Sequence, residues 1–367
     1  MSGDERRNVL MVCDSLGGGG AERQLALLAA SLDGPWRATV FSFGGGVYAD
    51  RLRNLGVPLV LAPRRFRFDP SPALALWRTM DELRPAVVHS WGHMGCFAAD
   101  VHCRRRRIAH VAGVVRRGAV FSVRGWLPRA ASRLGDLVLG NSRAGLEAFG
   151  VPPSRGRVLH NGFDPARLAR AALTDPPDGP FHVVMAATMD DRKDFASFVA
   201  AVRRLRDKAP GPIRASALGA GPNLAALRAA AADLVADGVL SLPGRVDEVL
   251  DHLRAAHAGV LLAAPGWGEG ISNSIMEYMV AGLPVVATDS GGNPELVRPD
   301  ETGYLIAPRD VDALVERLLL LMNDRSKARA LGLAGRRRIE TDFSVATMRA
   351  NALAIYEEAI ARRAGRR

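Results

Sequence analysis

The residues of this chain that are best suited to chemistry lie around two glutamates, Glu269 and Glu277. Glu269 follows an apolar run, 258–262, that predicts a buried strand, and it lies in a glycine-rich turn before a predicted helix over 272–282. A strand, a flexible turn and a helix start direct backbone N–H groups and the helix dipole at the turn, which favours an anion such as phosphate. A carboxylate is a poor ligand for phosphate but accepts hydrogen bonds well from sugar hydroxyls. The stretch therefore predicts phosphate and polyol held side by side, as in a nucleotide sugar.

Two cations and a glycine cluster follow other predicted strands of this half. Arg192 and Lys193 come after a strand predicted over 181–187, where a cation would meet ligand phosphate. The alternative interpretation is a solvated helix start, which acidic residues would fit better than basic ones. Gly219 follows a strand predicted over 213–218 and permits close approach of the backbone. These positions are candidates for the same phosphate site.

Four consecutive glycines, 17–20, follow the first predicted strand. They do not form a P-loop, because no Gly-Lys-Ser/Thr follows, and they do not match G-x-G-x-x-G with a later acidic residue. A loose turn and a contact with phosphate are equally compatible with this spacing.

Short apolar strands alternate with helical stretches along the chain. The first series has strands and helices over 9–13, 21–32, 38–43, 47–55, 58–61, 71–83, 86–89, 94–106, 109–115, 124–134 and 137–139. The second opens with 181–187 and continues over 194–206, 213–218, 223–235, 246–254, 258–262, 272–281, 285–287, 303–306 and 310–322. Such alternation predicts parallel sheets covered on both faces, with ligands at the carboxyl ends of the strands.

The polar stretch 161–180 is the predicted linker, because its prolines exclude regular structure near its end. The fold class expected is therefore α/β, with two Rossmann-like, doubly wound parallel-sheet domains facing a central cleft. The expected domains are 1–165 and 166–345. An amphipathic helix in 346–367 is expected to pack back toward the first domain.

Length and composition are those of a two-domain globular protein of 367 residues. No apolar run reaches the roughly 18 residues of a membrane helix, and the polar start shows no signal peptide. Three cysteines without C-x-x-C spacing argue against a zinc site and for a reducing compartment. We therefore expect a cytoplasmic location.

Positive charge is concentrated in the first half of the chain. Residues 1–165 contain 23 Lys and Arg against 13 acidic residues, an excess of 10 within a total net charge of +11. Nine arginines and no acidic residue lie between 102 and 134. This pattern predicts a surface for an anionic acceptor or an anionic membrane leaflet, with a plain solvated surface as the alternative. No nucleic-acid-binding motif accompanies it.

The order of several short motifs resembles the retaining glycosyltransferases of family 4, also called group 1, which have the GT-B fold. Glu269 and Glu277 match the E-x7-E motif of that family. The other matching segments are 141–142, 161–164, 282–288, 291–297 and 302–305. Each motif is degenerate, but their joint order and spacing are specific.

The resemblance implies a role for each matching position. Glu277 would accept hydrogen bonds from the ribose, Glu269 would lie near the transferred sugar, and Lys193 would neutralise the departing phosphate. The remaining donor contacts implied are those of Gly19, Gly20, Gly219, Arg245, Val246, Gly270, Ile271, Ser272 and Asn273. The first domain would be the acceptor side and the second would bind the nucleotide sugar.

The chain departs from the family pattern at two places. Thr188 stands five residues before Lys193, where the family usually has arginine, and Arg192 is the candidate substitute. The family often carries a first-domain histidine near the reacting sugar. Here Arg116 and His93 are the candidates for the acceptor side, with a purely structural histidine as the alternative.

The resemblance implies an enzyme that moves a sugar from a nucleotide-diphosphate sugar, most simply a UDP-sugar, to a hydroxyl of a glycan, a lipid-linked or a small-molecule acceptor. No D-x-D motif follows a predicted strand, so a metal-independent hexosyltransferase without a bound cofactor is expected. A location at the inner face of the bacterial plasma membrane would bring it to a lipid-linked acceptor. A nucleotide-sugar 2-epimerase on the same fold and a non-catalytic sugar-nucleotide-binding protein are the alternatives.

Overall fold

The computed structural model describes residues 7–66, 69–115, 126–171, 173 and 178–365. The chain divides into two compact units. The first contains the residues up to Asp164 together with those from Phe343 onward, and the second runs from Pro165 to Asp342. The C-terminal segment of the chain thus belongs to the first unit.

A parallel sheet forms the centre of the first unit. Its described strands are β1 (Arg7–Cys13), β2 (Trp36–Ser42), β3 (Leu59–Leu61), β4 (Val87–Ser90), β5 (Ala109–Val115), β6 (Leu137–Gly140) and β7 (Gly156–Val158). They pair in the order β3-β2-β1-β4-β5-β6-β7, and each pair is parallel. The helices between them are α1 (Gly20–Ser31), α2 (Val47–Asn54), α3 (Ser71–Leu83), α4 (His93–Arg106), α5 (Trp126–Ala131) and α6 (Arg143–Ala148).

Alternate residues of β1 show why both faces of this sheet are covered. Val9 and Met11 lie in one buried cluster with α1, while Leu10 and Val12 lie in another with α3. Successive side chains of a strand point to opposite faces, so a strand buried on both sides needs a continuous apolar run. This is the reason that the strands are visible in the sequence as uninterrupted apolar stretches.

The second unit repeats the same architecture. Its described strands are β8 (Phe181–Ala186), β9 (Ile213–Leu218), β10 (Leu240–Gly244), β11 (Ala258–Leu261), β12 (Val285–Thr288) and β13 (Gly303–Ile306). They pair in parallel in the order β10-β9-β8-β11-β12-β13. Its helices are α7 (Pro165–Arg170), α8 (Phe195–Lys208), α9 (Leu224–Ala230), α10 (Ala232–Ala236), α11 (Val249–Leu253), α12 (Asn273–Val280), α13 (Asn293–Leu296), α14 (Val311–Asn323) and α15 (Arg325–Asp342).

The last helix, α16 (Val345–Gly365), packs on the first unit. Met348, Ile355 and Tyr356 are buried in the same cluster as β1 and α1. The hydroxyl of Tyr356 lies 2.8 Å from Nδ1 of His89 on β4. The apolar face of this helix therefore completes the core of the first unit.

The doubly wound α/β class predicted from the sequence is confirmed, but the predicted linker 161–180 is partly wrong. It contains α7, whose first residue is Pro165. Proline fits the first position of a helix because it lacks only an N–H that would have no helical partner there. The prolines that argued against structure lie beyond this helix.

Helix α15 was not predicted. Glycines occupy its inward face, where Gly332 lies so close to Gly282 that a Cβ atom would come within 1.8 Å of the Gly282 carbonyl oxygen. Many of its other residues are charged, so an apolar stripe of helical period is weak in its sequence. This helix therefore packs through close approach of its backbone to that of Gly282 rather than through a row of large side chains.

Candidate active site

The strand order of the second unit reverses direction between β8 and β11, and two loops meet there. The backbone N–H of Asp194 donates to the carbonyl of Leu262 at 3.1 Å, and that of Ala264 donates to the carbonyl of Arg192 at 3.0 Å. Open parallel sheets bind ligands at such reversal points, outside the carboxyl ends of the strands. The loops after β8 and β11 therefore form one edge of a candidate site.

This edge brings together the two residues predicted to act on the reacting groups. Nζ of Lys193 lies 2.5 Å from Oε1 of Glu269. The Lys193 side chain is only 6% exposed, whereas that of Glu269 is 40% exposed. The buried ammonium group of Lys193 and the more exposed carboxylate of Glu269 can therefore contact different parts of one polar ligand.

Arg192 points to a different partner. Its Nε donates to both carboxylate oxygens of Asp190, at 3.1 and 3.0 Å. This hydrogen bonding lowers the pKa of Asp190 and raises that of Arg192. Thr188, in the same loop, is exposed. The role of Arg192 as a substitute cation therefore stays a prediction.

Two glycines allow the loops to approach one another. Gly219 has φ +140°, and a Cβ atom there would lie 1.9 Å from the carbonyl oxygen of Ala187. Gly291 has φ +55°, and a Cβ atom there would lie 2.2 Å from the carbonyl oxygen of Glu269. Side chains at these positions would push the loops apart and move the Glu269 backbone.

The turn after Glu269 leads into α12. Gly270, Ile271 and Ser272 are buried, and Asn273 is the first residue of the helix. Tyr278, which is fully buried, fastens α12 to the sheet by accepting a hydrogen bond from the backbone N–H of Ala186 at 2.6 Å. The helix start is thereby held at the carboxyl edge of β8 and β11, where its N–H groups can meet an anion.

Glu277 is held by an arginine that the sequence analysis did not single out. Nη1 of Arg167, on α7, donates to Oε1 of Glu277 at 2.7 Å. Glu248, which precedes α11, binds the same guanidinium. Arg245 and Val246, which the family resemblance implies as donor contacts, lie in the loop that leads to Glu248, and Arg245 is exposed. Arg167 was missed because its partners are distant in sequence and only the fold brings them together.

Two buried polar atoms border the same edge without a hydrogen-bond partner in the described part of the chain. They are Oγ of Ser290, in the loop after β12, and Oδ1 of Asn293, the first residue of α13. This loop also holds Glu269, because the backbone N–H of Gly292 donates to the Glu269 carbonyl at 2.8 Å. Buried polar atoms are normally paired, so these two are suited to a ligand.

The first unit presents its own polar edge. Gly19 ends the loop between β1 and α1, and Gly20 is the first residue of α1. His93, the first residue of α4, lies 3.7 Å from the Asp14 carboxylate through Nδ1. Asp14 also accepts the Gly95 N–H at 2.9 Å. The histidine predicted for the acceptor side thus has an acidic neighbour that the sequence analysis missed.

Some predictions fall outside what the structure covers or tests. Arg116 lies outside the described residues. Among the described residues, no group of three or more His, Cys, Asp or Glu side chains could hold a metal ion. Metal independence nevertheless stays a prediction.

None of the described helices combines the length and apolar character that crossing a membrane requires.

Solved structures place this fold among the two-domain GT-B proteins. The structure of Anabaena HepE in complex with UDP matches 96% of this chain and 100% of its own, with a TM-score of 0.79 and 18% sequence identity. At that identity the similarity concerns the fold alone.

Sequence comparison adds the family. The family descriptions "Glycosyltransferase Family 4" and "Glycosyl transferases group 1" match residues 18–167 and 180–324. This chain belongs to the group 1 glycosyltransferases.

Two relatives illustrate the range of that family. The putative colanic acid biosynthesis glycosyltransferase WcaL of Escherichia coli is 30% identical over 221 residues, covering 58% of this chain and 54% of WcaL. A GDP-mannose-dependent phosphatidylinositol monomannoside mannosyltransferase of Mycobacterium tuberculosis is 36% identical over 163 residues, covering 42% of this chain and 41% of that protein. The chain thus spans about half the length of these relatives.

Proposed function

We propose that this protein is a retaining glycosyltransferase that moves a sugar from a nucleotide-diphosphate sugar, with UDP as the nucleotide, to an acceptor hydroxyl. The observation that carries the proposal is the Lys193–Glu269 pair, which joins the loops that follow the neighbouring strands β8 and β11 at the reversal point of the sheet. Beside it begins α12, which also bears Glu277. A cation, a helix start and two carboxylates match the phosphate, sugar and ribose groups of one donor.

The chemistry follows from the charges that develop during transfer. As the anomeric C–O bond breaks, negative charge grows on the leaving diphosphate and positive charge grows on the sugar. Lys193 is held at the base of the site and would stabilise the diphosphate, together with the first N–H groups of α12. Glu269, which is more exposed, would then exchange its contact with Lys193 for the sugar. Front-face attack, with the leaving phosphate taking the acceptor proton, would retain the anomeric configuration.

The acceptor is proposed to be a hydroxyl of a glycan or of a lipid-linked sugar. Relatives of this chain carry names that refer to colanic acid biosynthesis and to a phosphatidylinositol monomannoside. The arginines at the end of α4 and directly after it, with Arg105 and Arg107 exposed, support contact with an anionic acceptor or an anionic leaflet. The protein would then act at the inner face of the plasma membrane.

A melting screen across UDP-, GDP-, ADP- and dTDP-sugars tests the donor, because a bound ligand raises stability by RT ln(1+[L]/Kd). The UDP-sugar is expected to give the largest shift, and a larger shift with GDP-mannose would replace the nucleotide in this proposal. Anomeric proton spectra of the product then report retention or inversion.

The two alternative functions predict different outcomes. A 2-epimerase would convert the donor without any acceptor glycan and would leave a mixture of epimers. A non-catalytic binding protein would give a melting shift but no sugar transfer and no donor hydrolysis. Acceptor-dependent release of UDP, with the sugar recovered on the acceptor, is the outcome expected here.

A further inference from the structure

Arg167 joins two carboxylates that come from separate parts of the second unit. Its Nη1 donates to Oε1 of Glu277 at 2.7 Å, and its Nη2 donates to Oε1 of Glu248 at 2.5 Å. A longer contact of 3.4 Å runs from Nε to the second oxygen of Glu248. All three groups are largely buried, with side-chain exposures of 17% for Arg167, 9% for Glu277 and 22% for Glu248.

Charges with so little access to water require paired partners. Burial alone would lower the pKa of Arg167, but its hydrogen bonds to Glu248 and Glu277 raise that pKa above its usual range. Burial likewise opposes the ionised form of Glu248, whose pKa is nevertheless lowered by the hydrogen bond from Arg167. The planar guanidinium has a fixed donor geometry, so its bonds to Glu248 orient the guanidinium plane. Arg167 in turn fixes the position of one carboxylate oxygen of Glu277.

The network links α12 to the loop that precedes α11. Glu277 lies on α12 and is the proposed ribose acceptor, while Glu248 ends the loop that contains Arg245 and Val246, two of the donor contacts that the family resemblance implies. Nη1 of Arg167 uses one of the roughly four acceptor positions of the Glu277 carboxylate. Arg167 thus fixes one oxygen of the carboxylate that is proposed to face the ribose.

We propose that Arg167 is a positioning residue that holds the Glu277 carboxylate in the orientation required by the ribose of the donor. This inference rests on the nucleotide-sugar site proposed above. It goes beyond that site because Arg167 lies on α7 and is proposed to act on donor binding through Glu277.

The test compares UDP with 2′,3′-dideoxy-UDP, and in parallel GDP with its dideoxy form, by calorimetry on the intact protein. The ratio of the two dissociation constants isolates recognition of the ribose hydroxyls. The wild type is expected to favour the ribonucleotide about tenfold or more, as lost hydrogen bonds to a charged group imply. Glu277→Gln and Arg167→Gln should each bring the ratio close to one, the double variant should lower it no further, and Arg167→Lys should restore part of it.

Arg336→Gln is the matched control. Arg336 is as little exposed as Arg167, at 15%, and its Nη1 joins the end of α7 to the end of α12 through the carbonyls of Ala171 and Val280. It contacts neither Glu248 nor Glu277 among the interactions of the described residues. Its loss should lower the melting temperature while preserving the ribose ratio, because only the packing of the helices is weakened.

Two results would overturn the proposal for Arg167 alone. One is an unchanged ribose ratio in Arg167→Gln while Glu277→Gln loses it, and the other is equal loss of the ratio in Arg336→Gln. A wild-type protein that binds neither nucleotide, or binds the dideoxy forms equally well, would instead overturn the proposed ribose site and this inference with it. Sugar transfer by the wild type, measured separately, distinguishes that outcome from failure of the proposed function.

Discussion

The ammonium group of Lys193 lies 2.5 Å from the carboxylate of Glu269, at the point where two loops from neighbouring strands are joined by backbone hydrogen bonds. Lys193 is almost fully covered and Glu269 is not. A donor that enters this site would separate the pair, because its phosphate competes for the lysine and its sugar hydroxyls compete for the glutamate. In the proposed mechanism, the pair would therefore connect binding of the donor to the charges needed for transfer.

Replacing Lys193 by alanine should lower kcat by about 100-fold, because its charge interacts most strongly with the diphosphate as the bond breaks. Steady-state kinetics with a saturating acceptor measure the effect. Lys208→Ala, which removes an exposed lysine at the end of α8, is the control and should leave kcat unchanged. Wild-type values of both kcat and kcat/KM in Lys193→Ala would show that the assignment to the leaving phosphate is wrong.

Replacing Gly219 by alanine should weaken nucleotide binding and destabilise the second unit by roughly 1–3 kcal/mol or more, because strain at φ +140° is combined with a clash against the Ala187 carbonyl. Gly179→Ala separates the two causes, because Gly179 has φ +144° with nothing within 4 Å of the added Cβ. Urea unfolding and calorimetry measure both effects. Equal losses in the two variants would mean that backbone strain alone, and not loop contact, accounts for the effect.

Acid should destabilise the second unit through His257. Burial lowers the pKa of His257 to about 4, and Nδ1 accepts the backbone N–H of His182 at 3.0 Å. The unfolded chain takes up this proton near pH 6.5, so the unfolded state binds more protons between pH 6.5 and 4 and stability falls as the pH falls.

His257→Asn offers a neutral acceptor in place of Nδ1 and should therefore lose less stability between pH 7 and 5 than the wild type. The expected difference is on the order of 1 kcal/mol, after a discount for the partial exposure of the ring. Denaturant midpoints at the two pH values measure it. Parallel loss of stability in both proteins would exclude His257 as the titrating group.

The four arginines at the end of α4 and directly after it should bind anionic vesicles through Arg105 and Arg107 more than through Arg104 and Arg106. Arg104 is paired with Asp100 at 2.7 Å and Arg106 with Asp81 at 2.8 Å, so their charge is already partly neutralised. Replacing Arg105 and Arg107 by serine should lower co-sedimentation more than the same change at Arg104 and Arg106. Binding should also fall as salt is raised. Equal pelleting with neutral and anionic vesicles would leave a soluble acceptor.

The amino-acid sequence by itself determined the α/β class, the family and most of the elements. Strands such as β12 are buried on both faces, so they need a continuous apolar run that is visible without a structure. The spacing of Glu269 and Glu277 and the glycines around them also follow one another along the chain. Local patterns of this kind are legible because a strand, a turn or a helix imposes its period on neighbouring residues.

Only the tertiary structure decided which charges meet. It paired Arg167 with Glu277 and placed Asp14 beside His93. It also paired Arg104 with Asp100 in the preceding turn of α4, and Arg106 with Asp81 on α3. It also showed a helix where a linker was predicted. An ion pair has no period along the chain, and its partners are chosen by how strands and helices pack. The sequence therefore names the residues that can do chemistry, and the fold decides the partners that orient them.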